Sequence, residues 1–150
     1  MKNILVFSYD GFHKKSEDLL WLSKIKNLNI KIILLNPWKN IKKKNNFKGF
    51  KSIQSKSVVK ISALSKKLSY ESRICNHSDF DQIRKIVKRK KINLAIIFGA
   101  RILKKKIIDL FKYGVINYHP GSLPETSGLD SFYWMIEKKI FPKVTCHLID

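Results

Sequence analysis

The strongest constraint on this chain is a set of short apolar runs, each nearly unbroken by polar residues. NILVFSY at residues 3–9, IKIILL at 30–35 and NLAIIF at 93–98 are of this kind. Strands buried on both faces read this way, because neither set of alternate side chains meets water. Further strands are expected at residues 115–118 and 144–149, and a weak candidate lies at 70–76.

Segments with helical signals separate these runs. Ser16 can cap a helix whose first turn holds Glu17 and Asp18, where negative charge meets the positive end of the helix dipole. Leu19, Leu20, Leu22 and Ile25 supply the buried side of that helix. A short helix is expected over residues 58–68. The clearest helix covers 78–91: Ser78 and Asp81 make an acidic variant of the capping box, and Phe80, Ile83 and Val87 share one face. Another is expected at 103–112, with Leu103, Ile107, Leu110 and Phe111 turned inward and Gly114 closing it. A last helix lies near 130–138. Strand and helix alternate throughout, which predicts one α/β domain over residues 1–150, doubly wound around a mostly parallel sheet. Ligands of such sheets sit beyond the carboxyl ends of the strands, near the topological switch point.

Hydrophobic residues make up 44% of the chain, enough for the core of one domain. The net charge of +20 stands out and favours phosphate-bearing partners, although lysines on solvated faces are the plainer account of it. Cys75 and Cys146 are far apart and show no metal-ligand spacing, which suits a reducing compartment. The start lacks the long apolar stretch and small-residue cleavage site of a secretory signal, and no run approaches the roughly 18 apolar residues of a spanning helix. A cytoplasmic protein is expected.

The segment VINYHPGSLPETSG, residues 115–128, carries the chemistry. Side chains two apart on a strand point to the same side, so Asn117 and His119 share a face and Tyr118 takes the other. An amide N–H can stabilise negative charge growing on a carbonyl oxygen, and an imidazole can move a proton near neutral pH. Together they suit acyl transfer through a tetrahedral intermediate. Taken alone, such a pair also serves as an ordinary turn former.

Three segments in order resemble one family. Asn117-Tyr118-His119-Pro120-Gly121-Ser122-Leu123-Pro124, followed by Gly128, is similar to the signature of the folate-dependent formyltransferases. Phe98-Gly99-Ala100-Arg101-Ile102-Leu103 resembles the segment that lines their pterin pocket, and Val144-Thr145-Cys146-His147 resembles the strand after their signature helix. The resemblance is strongest over residues 93–150. It implies 10-formyltetrahydrofolate as the donor, an amine as the acceptor and no metal. It also implies Asn117 and His119 as catalytic residues, and Ala100, Arg101 and Leu103 beside the pterin. For Leu103 the plain alternative is helix core, and for Arg101 a surface charge.

Two departures matter. The family's third catalytic residue is an aspartate several residues beyond the position of His147, and Asp150 matches a different acidic position. The resemblance therefore implies a catalytic domain cut short at its C-terminal side. The alternative is a non-catalytic remnant that keeps a folate-shaped pocket or a basic RNA-binding surface. Ser8-Tyr9-Asp10-Gly11-Phe12 also lacks the Gly-Ser-Asn element of glycinamide ribonucleotide formyltransferases. The basic loop within residues 36–52 lies where methionyl-tRNA formyltransferases carry a basic insertion. Lys39, Lys42, Lys43, Lys44, Lys48 and Lys51, with Trp38, Phe47 and Phe50 between them, would suit tRNA. An amino-sugar nucleotide is the other acceptor that the resemblance leaves open.

Overall fold

A computed structural model describes residues 2–11, 15–37, 59–100, 102–128 and 131–149. The side chains of Lys15 and Ser16, and with them the expected Ser16 cap, lie outside the described residues, as do Arg101 and the basic loop from Lys39 to Lys51.

The elements follow the expected alternation. They are β1 (Asn3–Asp10), α1 (Lys15–Ser23), β2 (Asn29–Pro37), α2 (Ile61–Lys67), β3 (Ser72–Ile74) and α3 (Phe80–Arg89). After these come β4 (Leu94–Ile97), α4 (Lys105–Ile108), β5 (Val115–His119), α5 (Ser131–Glu137) and β6 (Thr145–Ile149). The six strands form one sheet in the order β3-β2-β1-β4-β5-β6. All neighbours are parallel except β5 and β6, which run antiparallel. The chain winds outward from β1 through β2 to β3, then crosses back to β4 on the other side of β1. The switch point is therefore between β1 and β4.

The apolar runs explain the two-faced core. On one face, Leu5, Phe7, Ile32 and Leu34 pack with Ile83, Ile86 and Val87 of α3 and Ile107 and Ile108 of α4. On the other, Ile4, Val6, Ile33 and Leu35 pack with Leu19 and Leu22 of α1 and Ile61 and Leu64 of α2. Each such fully buried side chain contributes roughly 1.5–3 kcal/mol relative to exposure, and alternation along each strand divides it between the two layers.

Several local expectations need correction. Leu20 and Ile25 are exposed rather than core-facing, because α1 buries only the stripe through Leu19 and Leu22. The cap of α3 is Asp79, whose carboxylate accepts from the Gln82 N–H at 3.0 Å. Ser78 instead donates its hydroxyl to Asn76 Oδ1 at 2.7 Å, so the expected pairing of Ser78 with Asp81 is not the cap. The helix expected over 103–112 is a single turn, α4, followed by turns that end at Gly114, where φ is +81°. Leu148 lies 3.1 Å from where a Gly114 Cβ would sit, so both backbone and packing favour glycine there.

Candidate active site

Two strand ends build the site. β5 lies beside β4, one strand from the switch point, and ends at His119. Val115 packs with the α3–α4 core and Ile116 with the opposite one, so Asn117 and His119 both rise on the α3–α4 side. Tyr118 projects to the other side and is exposed.

Antiparallel pairing then sets a second row against the first. In the β5–β6 register, Asn117 is opposite His147, His119 opposite Thr145, and Tyr118 opposite Cys146. The Asn117 amide donates to His147 Nε2 at 3.3 Å. His147 Nδ1 lies 3.1 Å from the Leu148 carbonyl, and donating there leaves Nε2 as the acceptor that Asn117 needs. One amide hydrogen of Asn117 is thus engaged and one remains for another acceptor.

The same face holds His119 differently. Its Nε2 lies 2.9 Å from the Thr126 carbonyl and 3.0 Å from Ser131 Oγ. A carbonyl can only accept, so Nε2 carries the proton and the neutral ring keeps its lone pair on Nδ1. Ser131 Oγ in turn donates to the Gly128 carbonyl at 3.1 Å, which leaves its oxygen free to accept from the imidazole. The described contacts therefore send Asn117 and His119 to different partners, one to His147 and one to Thr126 and Ser131.

The turn after β5 holds this arrangement. Gly121 N–H donates back to the His119 carbonyl at 2.8 Å. Thr126 closes the next turn through its N–H and hydroxyl, both on the Ser122 carbonyl at 2.8 and 2.9 Å. Thr145 on β6 donates its hydroxyl to the Gly121 carbonyl at 2.6 Å, tying the loop to the sheet. A Cβ on Gly121 would sit 2.6 Å from Thr126 Oγ1, 2.7 Å from Ser131 Cβ and 3.0 Å from His119 Nε2, so only glycine fits there. Glu125, at the tip of the turn, is held below the usual carboxylate range by its own backbone N–H first, then by the Ser122 hydroxyl at 2.9 Å.

His147, Thr126 and Ser131 were not among the candidates drawn from the sequence. His147 had one legible signal, since Thr145 and His147 alternate along a strand. Thr126 and Ser131 are ordinary loop residues until folding buries them to 2% and 3% exposure around the imidazole.

The segment expected to line the donor pocket follows β4. Gly99 passes close to Tyr9 across the switch point, with Tyr9 Cδ2 3.0 Å from where a Gly99 Cβ would be. Ala100 is half-buried against the α3–α4 core. Leu103 is 7% exposed and packs inside that core, which is the plainer of its two readings. A cleft of about 320 Å³, bordered by Trp21, Leu22, Phe98, Tyr118 and Val144, opens on the opposite face of the sheet. It is lined by Tyr118 and not by Asn117 or His119, so it is a separate feature from the polar site. Among the described residues no group of three or more His, Cys, Asp or Glu is placed to hold a metal ion.

Comparison with known proteins finds both sequence relatives and structures of the same fold. No protein-family model matches the chain. The methionyl-tRNA formyltransferase of Clostridium beijerinckii is 30% identical over 112 residues, covering 75% of this chain and 34% of that protein. That of Borrelia garinii subsp. bavariensis is 30% identical over 77 residues, covering 50% of this chain and 23% of the relative. The chain thus spans about a third or less of the length of these curated relatives. Among solved structures, glycinamide ribonucleotide transformylase 1 from Geobacillus kaustophilus superposes with a TM-score of 0.72 at 14% identity, over 100% of this chain and 75% of that one. A formyltetrahydrofolate deformylase from Pseudomonas syringae superposes with a TM-score of 0.69 at 14% identity, over 99% of this chain and 46% of that one. At such identities the structural likeness speaks for the fold, and the sequence likeness is to methionyl-tRNA formyltransferases over part of their length. Together they support a folate-dependent formyltransferase domain over these residues.

Proposed function

We propose that the enzyme carrying these residues moves a formyl group from 10-formyltetrahydrofolate to an acceptor amine, with Asn117 and His119 as the catalytic pair. The observation that carries this reading is their common face at the carboxyl end of β5, one strand from the switch point. The donor supplies an acyl carbon on a nitrogen leaving group. The amine nitrogen bonds to that carbon, the bond to the folate nitrogen breaks, and the proton lost by the amine ends on the departing nitrogen. The amide hydrogen of Asn117 not engaged by His147 stabilises the oxyanion. His119, with Nε2–H anchored on Thr126 and Ser131, offers Nδ1 to the amine's proton.

Ala100, Arg101 and Leu103 border the donor. Since the Leu103 side chain is in the core, its part is played by backbone groups. The similarity to methionyl-tRNA formyltransferases favours an aminoacyl-tRNA acceptor, met by Lys39, Lys42, Lys43, Lys44, Lys48 and Lys51. An amino-sugar nucleotide is the second acceptor class. Free Cys75 and Cys146 are consistent with a cytoplasmic setting, and no helix among the described residues is long and apolar enough to cross a membrane.

The test is formyl transfer by the purified protein to methionyl-tRNA and to an amino-sugar nucleotide, read by mass. Asn117→Ala and His119→Ala each abolish turnover while circular dichroism stays unchanged. Full activity in either variant overturns the assignment. Neutralising Lys42, Lys43 and Lys44 weakens tRNA binding and flattens its salt dependence, and an unchanged salt slope removes the loop from the acceptor site.

A further inference from the structure

α5 is attached to the molecule by a narrow stripe. Ser131 and Met135, one turn apart, are 3% and 1% exposed, while Phe132, Tyr133 and Trp134 are 58%, 59% and 42% exposed. Phe141, just after the helix, is 81% exposed. The Tyr133 and Trp134 rings meet edge to face with centroids 5.4 Å apart, so these two rings are already arranged together at the surface. The Tyr133–Trp134 pair, with further exposed aromatics before and after it in the chain, is the kind of apolar surface that marks a binding site.

Charge selects the partner. Between Ser131 and Lys143 the three lysines 138, 139 and 143 outnumber the single carboxylate, Glu137. The whole chain carries +20, so a second copy arriving at this face meets like charge. An anion with flat faces meets both the lysines and the rings. Position adds a further argument. Ser131, the first residue of α5, touches the His119 imidazole, so the aromatic face begins where the candidate site ends.

We propose that α5 and the turn after it bind single-stranded nucleic acid, with bases stacked on Trp134, Tyr133 and Phe141 and phosphates near Lys139 and Lys143. Stacking needs unpaired bases, which a duplex does not offer at its side. The choice of RNA as probe rests on the tRNA acceptor reading. The readout is binding alone, so loss of formyl transfer and loss of stacking are told apart.

The experiment uses the protein and a labelled uridine-rich RNA of about 12 nucleotides, against a duplex of the same length, by fluorescence anisotropy over a salt series. The single strand binds tighter than the duplex. The double variant Trp134→Ala with Phe141→Ala weakens the single strand by about tenfold or more, as loss of base stacking does, and leaves the salt slope unchanged. Lys139→Gln with Lys143→Gln instead lowers the slope of log affinity on log salt by about 1. These residues are exposed, and circular dichroism checks that each variant folds. Equal affinity for duplex and single strand, or unchanged affinity in the aromatic variant, overturns the proposal. So does an aromatic variant that loses only self-association by sedimentation, or only binding to anionic phosphatidylglycerol vesicles.

Discussion

Asn117 and His147 stand opposite each other on β5 and β6, with the Asn117 amide donating to His147 Nε2 at 3.3 Å. The bond fixes which way the amide faces, since Nε2 is an acceptor only while Nδ1 holds the ring proton. A side chain that must point at a developing charge gains from being held before the charge appears. Replacing His147 with leucine removes the acceptor and frees the amide. Formyl transfer should fall by about 10–100-fold in kcat/KM, the equivalent of roughly 1.4–2.7 kcal/mol, while global stability changes by less than about 1 kcal/mol. His147→Gln, which returns an acceptor, should recover part of the rate. Equal rates in both variants and the parent would show that the contact positions nothing.

Gly121 occupies the tightest point of the turn, where a Cβ would meet Thr126 Oγ1 at 2.6 Å and Ser131 Cβ at 2.7 Å. Both neighbours are buried and hydrogen-bonded, so neither can move without releasing His119. Gly121→Ala should cost about 1–3 kcal/mol, as overpacking does, seen as a lower urea midpoint at unchanged slope. An unaffected midpoint would mean that the turn relaxes freely.

His77 predicts the acid behaviour of the fold. Its ring is 1% exposed, packs against Phe7 at 5.0 Å between centroids, and donates from Nε2 to the Leu34 carbonyl at 3.1 Å. Burial pulls its pKa down from 6.5 to about 4, with the Leu34 hydrogen bond opposing. Between those two pH values the unfolded chain binds the proton and the folded chain does not, so stability rises with pH there. The contribution is fully present above about pH 6.5 and is lost as pH falls toward 4, amounting to roughly 3 kcal/mol at most. Urea midpoints at pH 7.5, 5.5 and 4.5 should therefore drop steeply in the parent and less steeply in His77→Gln. Parallel curves would place the acid sensitivity elsewhere.

Asp79 supplies the cap of α3 through its 3.0 Å bond from the Gln82 N–H. Asp79→Ala should destabilise the fold by about 1 kcal/mol. Ser78→Ala should cost less, because the Ser78 hydroxyl bonds an exposed asparagine side chain instead of the helix. The reverse order of losses in thermal or urea unfolding would reinstate Ser78 as the cap.

Much of the architecture was legible from residue order. The runs that became β1, β2 and β4 are apolar on both faces, and only a sheet covered on both sides buries them. The place of Asn117 and His119 on one face followed from the two-residue period of a strand. The failures have a common cause. Leu20 and Ile25 fit an apolar helix stripe by composition, yet which stripe is buried depends on where α1 lands on the sheet. Asp79 outcompeted Ser78 as a cap because Asn76 had already taken the serine hydroxyl, a contact between loop residues that no periodicity records.

The chain's order of residues by itself determined the alternating α/β layers and the strand end on which an amide and an imidazole rise together. These depend on local period and burial, and both are written in neighbouring residues. Only the tertiary structure decided what those two groups touch. His147 reaches Asn117 because β6 turns back antiparallel in one particular register across 30 residues of sequence, and Thr126 and Ser131 close on His119 because the turn after it folds inward. Such meetings are set by how distant segments pack, and packing is a property of the whole sheet.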